Sequence, residues 1–495
     1  MLRQTSQSGS RHIVATIDGA LSNLKVKKLP SGRIALACSA LATPDGSLAN
    51  LETEKKPHSS AKIYSSLFVR HWDTWLTENR NSIWYSALEK RDGKYLLAGG
   101  SLVNALAGTE LSSPVAPFGG TGDFDIGPKG LVFVAKDQKL DPASYTKTDL
   151  YFIPISEFTE PKAPSPKIVD TPDLEGYTQT PVFSHCGHKV AFTRMRSKQY
   201  ESDKPRMLLL RDVDNLEKAE EFYATKDGEG GWDYRPESVI WSSDDSTLYA
   251  TAEHQGRTLV WELPADPAKA KELPTEVKTV DGSVGDFRLL SDSSQKLFVT
   301  SSSLIDNSCY SVIDPSHGTV SVVSSGSKQG KTFGLSRSSC SDIWFKGAGG
   351  YPVHALVLRP SDFDKNKKYP LAFLIHGGPQ GAWLDGWSTR WNPAIFAEQG
   401  YVVVTPNPTG SSGYGMALQD GIKGEWGGRP YNDLVACFEH ISDNLPYVDT
   451  NRAVALGASY GGYMISMGSD FLIPYRKILT IIPRLDPGTS PRSQV

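Results

Sequence analysis

Four segments of this chain repeat one pattern: an apolar or aromatic residue, a turn rich in Ser, Asp and Gly, then an apolar strand. They are DIGPKGLVFVA from Asp125, VFSHCGHKVAF from Val182, IWSSDDSTLYA from Ile240 and LLSDSSQKLFV from Leu289. Turn residues of this kind reverse the backbone tightly, and the flanking residues alternate with period two, which suits strands and not helices. The copies recur at intervals of roughly 50 to 58 residues, about the length of a four-stranded propeller blade. LPSGRIALACSA, from Leu29, is a weaker copy. The expected fold of this region is a β-propeller of four-stranded blades; an irregular β-sandwich is the plainer alternative.

After about Ser339 the pattern changes. YPLAFLIHGG and QGYVVVTPNP contain short, nearly continuous apolar strands, the mark of a parallel sheet covered on both faces. In NDLVACFEHISDN the residues Leu434, Val435, Phe438 and Ile441 share one helical face, with Asn432 placed to cap the helix start. RAVALGAS is a further strand that runs straight into a turn. Strands alternating with helices predict an α/β domain. The expected division is 1–338 for the propeller and 339–495 for an α/β-hydrolase domain, and 495 residues are too many for one core.

That turn reads Gly457-Ala458-Ser459-Tyr460-Gly461. A Gly-x-Ser-x-Gly after a buried strand is a nucleophile elbow: the serine backbone is strained, and small residues two places either side let strand and helix approach. Ser459 is the expected nucleophile. The amide of Tyr460 then points toward a developing oxyanion. HGGP, His376 to Pro379, follows the strand LAFLI, where the second oxyanion amide is expected. His376 precedes the nucleophile, whereas this fold takes its triad in the order Ser, Asp or Glu, His. Its expected role is therefore to shape the loop presenting the Gly377 and Gly378 amides. His440 reads as a surface or boundary residue of its helix, and no histidine follows it. Of the later acids, Asp470 and Asp486, neither follows a further strand in the expected way, although KILTII has the composition of one.

Other chemistry is not indicated. Lys plus Arg number 52 and Asp plus Glu 55, a net charge of −3, so no basic face for nucleic acid is expected. No segment is apolar enough to span a bilayer or serve as a signal-peptide core, and the chain as written reads as cytoplasmic. The five cysteines lie far apart, with neither a disulfide framework nor a Cys-x-x-Cys site. GSKQGKT around Lys331 mimics a phosphate loop but has Ser325 where the leading glycine belongs. SHCGH, with His185 and His188, falls on a repeated turn and not on a metal site. No metal and no cofactor are expected.

The motifs HGGPQGAWLDGWSTRWNP, GYVVVTPNPTGSSGYG and GASYGGYM resemble the catalytic domain of the prolyl oligopeptidase family, and within it the fungal dipeptidyl-peptidase V enzymes. IYSSLFVRHWDTWL, PFGGTGDFDI and YESDKPR resemble the propeller of the same enzymes. The resemblance, from about Asn23 to Met464, implies a secreted serine peptidase that removes dipeptides from the N-termini of short peptides. It implies Ser459 as nucleophile and Tyr460 and Gly378 as the oxyanion amides. Beyond the elbow helix the sequence departs from the family, and the acid and histidine of the triad are not found. The chain is expected to be truncated at both ends, with an incomplete propeller and hydrolase domain and little activity of its own. Two other readings compete: a non-catalytic binding or regulatory product, and an acylaminoacyl-peptidase- or esterase-like hydrolase.

Overall fold

The computed structural model describes residues 2–5, 11–55, 58–171, 173–216 and 218–468; KILTII, Asp470 and Asp486 lie outside them. Each repeated segment forms the hairpin between the first two strands of a sheet. Phe124–Gly127 pairs antiparallel with Gly130–Lys136, and the sheet continues through Thr148–Pro154 to Lys167–Ile168. The same order recurs from Thr178–Phe183 to Glu220–Glu221, from Pro236–Trp241 to Thr275–Val277, and from Ser283–Leu289 to Thr319–Ser325. The weaker copy joins Ser22–Lys28 to Ile34–Ala42 in a further sheet with Arg80–Arg91 and Lys94–Leu97. These five sheets are the blades of a β-propeller, each a meander of antiparallel neighbours, not the two stacked sheets of a sandwich.

Apolar residues on both faces of the blades form the cores. Tyr85, Phe124, Phe133 and Phe158 are fully buried in one cluster, and Val132, Phe152, Phe183 and Phe192 lie in the next. Consecutive blades are also stitched by polar contacts. The Asp125 carboxylate pairs with Lys25 at 3.3 Å and accepts from the Phe183 amide at 2.9 Å. In the third blade the His185 amide donates to Asp245 at 2.7 Å, and Trp241 Nε1 donates to the Val182 carbonyl at 3.1 Å. Asp245 belongs to the repeated turn itself. Its residues therefore do more than reverse the chain.

By compactness the chain forms two units. One comprises residues 1–231, 236–248 and 264–273; the other comprises 232–235, 249–263 and 274–495. The second unit contains a five-stranded mixed sheet in the order Cys340–Lys346, Pro352–Leu358, Val402–Asn407, Tyr369–Ile375, Val448–Gly457. The first three run antiparallel, and Tyr369–Ile375 is parallel to both its neighbours. Leu371, Phe373 and Ile375 face one cluster with Leu434, Phe438 and Ile441 of helix α3 (Arg429–Asn444). Ala372 and Leu374 face the other, with Ala394 and Ala397 of the short helix α1 (Pro393–Ala397). Burial on both sides explains why these strands read as continuous apolar runs. Two further helices are α2 (Met416–Asp420) and α4 (Tyr460–Met467). This is the α/β-hydrolase part of the fold. Helix α3 begins earlier than the sequence suggested: its cap is Gly428, and Asn432 lies inside it. Pro430, with its φ set for the first turn, is the start signal that outranks the asparagine.

Candidate active site

Tyr369–Ile375 and Val448–Gly457 are parallel neighbours in register, with Ile375 opposite Gly457. The loops that follow them therefore leave the sheet side by side at its carboxyl edge, where α/β sheets place their ligands. One carries His376, Gly377 and Gly378; the other carries Ser459. A Cβ built on Gly377 would lie 3.6 Å from the Cβ of Ser459 and 3.2 Å from the Ala458 carbonyl. Topology alone brings these two segments together.

Ser459 has φ 56° and ψ −123°, a left-handed conformation that L-residues adopt at a cost of order 1–3 kcal/mol when the surroundings over-determine it. The surroundings do so here. A Cβ on Gly461 would meet the Ile375 carbonyl oxygen at 2.3 Å, and one on Gly457 would meet the Gly461 backbone at 2.6 Å. Strand and helix are closer than any side chain permits. Ser459 caps α4 without using its side chain. Its Oγ is exposed and has no hydrogen-bond partner among the described residues. Tyr460 is the first residue of α4, so its amide is one of the helix's unpaired donors. The Tyr460 ring is anchored, with its hydroxyl donating to the Trp426 carbonyl at 2.7 Å. Gly378 has φ +124°, and a Cβ there would meet Gln380 N at 2.7 Å. Only glycine fits that position.

His376 is part-buried and engaged at both nitrogens. Nδ1 lies 2.7 Å from the Gly377 carbonyl, and Nε2 lies 2.9 Å from Ser411 Oγ. A carbonyl only accepts, so Nδ1 carries the proton and Nε2 accepts from the serine. Burial pushes the imidazole below its ordinary pKa, partly opposed by the Gly377 carbonyl, so the ring is neutral. It faces Ser411 and not Ser459. His440 sits at the far end of α3, its ring 5.9 Å from that of Phe345. All ten histidines of the sequence fall among the described residues, and none is hydrogen-bonded to Ser459.

The sequence reading missed what holds the His376 loop. The segment 408–415 is clamped at four side chains. The Thr409 amide and hydroxyl donate to buried Asp433 at 2.8 and 2.6 Å. Ser411 donates to His376, and Ser412 donates to Glu253, whose carboxyl is pushed up by burial. The Tyr414 hydroxyl donates to His354 Nδ1 at 2.5 Å and accepts from Asn407 Nδ2 at 2.7 Å. His354 Nε2 in turn donates to Asp342 at 2.8 Å, and Arg257 forks onto the same carboxylate at 2.9 and 3.0 Å. The bond from His354, despite some burial, holds Asp342 well below the usual carboxylate range, with Arg257 adding to it. Asn407 also bridges to Trp383, accepting from its amide at 2.7 Å and donating to its carbonyl at 3.0 Å. Asn407, Thr409, Ser411, Ser412 and Tyr414 all lie within GYVVVTPNPTGSSGYG, so the signal was present without an assigned role.

The structure places both lookalikes. Ser327, in the GSKQGKT loop, donates to Asp306 at 2.6 Å, so a carboxylate stands where a phosphate would need cations. His188, Asp212 and Asp214 bring ligand atoms within 4.8 Å of one another, the one group of this kind among the described residues. Lys129 already pairs with Asp214 there. No helix of the described residues is long and apolar enough to cross a membrane.

Residues 387–469 match the model of the prolyl oligopeptidase family. Dipeptidyl-peptidase 5 of Aspergillus fumigatus is 41% identical over 473 residues, covering 94% of this chain and 64% of that protein. The Arthroderma otae dipeptidyl-peptidase 5 is 41% identical over 416 residues, covering 82% of this chain and 55% of that one. The chain is similar to the prolyl oligopeptidase family over residues 387–469 and to these relatives over most of its own length. It spans less than two thirds of the length of these curated relatives. Among solved structures it is similar to uncomplexed Pyrococcus horikoshii acylaminoacyl peptidase, with a TM-score of 0.67 at 13% identity over 96% of this chain and 65% of that one. A puromycin-hydrolyzing peptidase of Mycobacterium tuberculosis gives 0.55 at 15% identity, over 92% and 62%. At such identities the likeness is one of fold. The family match contains the elbow and the clamped loop; His376, Gly377 and Gly378 precede it.

Proposed function

We propose that this chain carries the nucleophilic part of a serine-type dipeptidyl-peptidase, which releases N-terminal dipeptides from short peptides through an acyl-enzyme at Ser459. The observation that carries the reading is the conformation of Ser459: a left-handed serine at a strand–helix elbow, exposed, unspent as a cap, with Gly377 alongside. In this reading Ser459 Oγ attacks the carbonyl carbon of the second residue, and the Tyr460 and Gly378 amides receive the oxyanion. His376 and Gly377 shape the loop that presents them. No metal or cofactor enters the step. The proposed domain division is 1–338 and 339–495, at the change from blade sheets to mixed sheet. The dipeptidyl specificity rests on the names of the relatives, and the acyl-transfer chemistry on the elbow.

With no histidine at Ser459, amide turnover by the 495-residue polypeptide is expected to fall about 10⁶-fold below that of a complete triad. An activated ester needs far less help from a base and is the better probe. Incubation with the p-nitrophenyl ester of a dipeptide, followed by intact-mass and peptide mapping, should show one dipeptidyl adduct on Ser459. The N-acetylated ester should react more slowly if the free amine is recognised. Equal rates for the free and acetylated esters would favour a general esterase. An adduct unchanged in Ser459→Ala would end the proposal.

A further inference from the structure

The hydrogen bonds from Asp342 to Asn407 cross one face of the mixed sheet. His354 stands directly opposite Trp344 on one neighbouring strand and opposite Asn407 on the other. Asp342 is two residues from Trp344 and so shares that face. His354 and Asn407 are buried, and the Tyr414 ring lies 5.7 Å from that of His354. Beyond Asn407 the bonds continue into the loop that carries Gly378. Asn407 holds Trp383 by both its backbone groups, and Trp383 Nε1 donates to the Leu374 carbonyl at 2.9 Å. Leu374 and Trp383 thus close the neck of a loop with Gly378 inside it.

These bonds have one direction. A side-chain amide can be turned either way round, but only one way lets Asn407 accept from the Trp383 N–H and donate to the Trp383 carbonyl. Its second N–H then meets Tyr414 Oη, which must accept, so the phenol proton goes elsewhere. Burial raises the Tyr414 pKa well above that of an ordinary phenol, so the proton is there to give. His354 Nδ1 takes it at 2.5 Å. The other ring nitrogen is then the donor, and the Asp342 carboxylate, which only accepts, receives it at 2.8 Å. Reversing any one member leaves a buried donor or acceptor unpaired.

We propose that Asp342, His354 and Tyr414 are positioning residues for acyl transfer: by fixing which way the Asn407 amide faces, they seat the Trp383 neck and so aim the Gly378 N–H at the oxyanion. None of the three lies in the elbow or in the Gly377–Gly378 turn. Arg257, forked onto Asp342, anchors the outer end. The catalytic role rests on the Ser459 reading above; the seating of the loop does not.

The relay needs polarity and not volume, and two substitutions at one position separate these. In His354→Gln the side-chain carbonyl can accept from Tyr414 while the NH2 donates to Asp342; His354→Leu fills the space and does neither. These variants and Tyr414→Phe, in the 495-residue chain, are reacted with the dipeptide p-nitrophenyl ester. The acylation rate constant at saturating ester should fall about 10- to 100-fold in Tyr414→Phe and His354→Leu, the upper figure being the loss from a misplacement of about 1 Å. The half-saturating ester concentration should not change, and His354→Gln should stay close to the parent. Loss of fold alone would lower the fraction of chain acylated and not the rate constant. In hydrogen exchange the amides of 376–383 should lose protection in Tyr414→Phe and keep it in His354→Gln. A parent-like rate constant in Tyr414→Phe, or equal slowing by Gln and Leu at position 354, would overturn the proposal. A parent chain that never acylates at Ser459 would remove the catalytic reading. Exchange in 376–383 then decides the relay by itself: faster exchange in Tyr414→Phe upholds the seating of the loop, and unchanged exchange ends it.

Discussion

The hairpin turn between the first two strands of a blade is filled differently each time it occurs: Pro128 and Lys129 in one blade, Ser184 to Lys189 in the next, Ser242 to Ser246 in the one after. The turn after Val448–Gly457 occurs once and admits almost no change, because Gly461 packs its α-carbon against the Ile375 carbonyl. Both are strand ends. In the blades, any short run of turn-forming residues closes the hairpin, and stability is spread over many apolar contacts between neighbours. At the elbow, one backbone must hold a strained serine, so the identity of single residues decides the geometry. The first kind of turn is set by composition and the second by fit.

That contrast is broken most sharply by adding one methyl group in each region. Gly461→Ala places a Cβ 2.3 Å from a backbone oxygen that is itself fixed in the sheet. It should cost on the order of 4 kcal/mol or more, at the exceptional end for a point change, and abolish ester acylation. Gly318→Ala, at a blade turn with φ 61° and nothing within 4 Å, should cost only about 1 kcal/mol. Urea unfolding of the two variants gives the ratio; similar midpoints would mean that the elbow is not tightly fitted.

The next effect concerns the clamps. Asp433→Ala should cost about 3 kcal/mol, since it leaves the Ala348 amide and both Thr409 donors without their acceptor in a fully buried position. Loop 408–415 should then lose protection in hydrogen exchange while the blades keep theirs. Loss of protection in both regions alike would remove the distinction between them.

The smallest effect lies in the blades and depends on pH. Burial alone would raise the Asp245 carboxyl, but the His185 ring and the His185 and Cys186 amides outweigh it and bring the value to about 2. An unfolded aspartate titrates near 3.9. The folded value being the lower, this carboxylate contributes its stability in full above about pH 4 and loses it as pH falls toward 2. Allowing for the water at this turn, the contribution is about 1 kcal/mol. Asp245→Asn should flatten the stability profile between pH 4 and 2 by that amount and change little at pH 7 beyond it. An unaltered acid limb would show that Asp245 does not join the blades.

These differences also explain what could be read in advance. Blade hairpins and elbow are written in adjacent residues: the period of the turns pointed to the propeller, and Gly457 to Gly461 to the strained strand–helix turn at Ser459. The chain from Arg257 through Asp342, His354 and Tyr414 to Asn407 joins residues up to 157 positions apart. No local pattern announces such a network, because it exists only once the sheet has brought its members together. Tyr414 lies in the Gly-Ser loop of GYVVVTPNPTGSSGYG, where nothing in the neighbouring residues points to His354 or Asn407. The start of α3 was missed for a smaller reason, since Asn432 is a good cap by type but Pro430 had already opened the helix.

The central claim, that the strained turn makes Ser459 the reactive group, is tested most directly by a fluorophosphonate probe on the 495-residue chain, with the label located by peptide mapping. The account predicts label on Ser459 alone, faster when imidazole is added as an external base, and absent from Ser459→Ala. Label on another serine, or labelling of Ser459 no faster than of surface serines with or without imidazole, would contradict it.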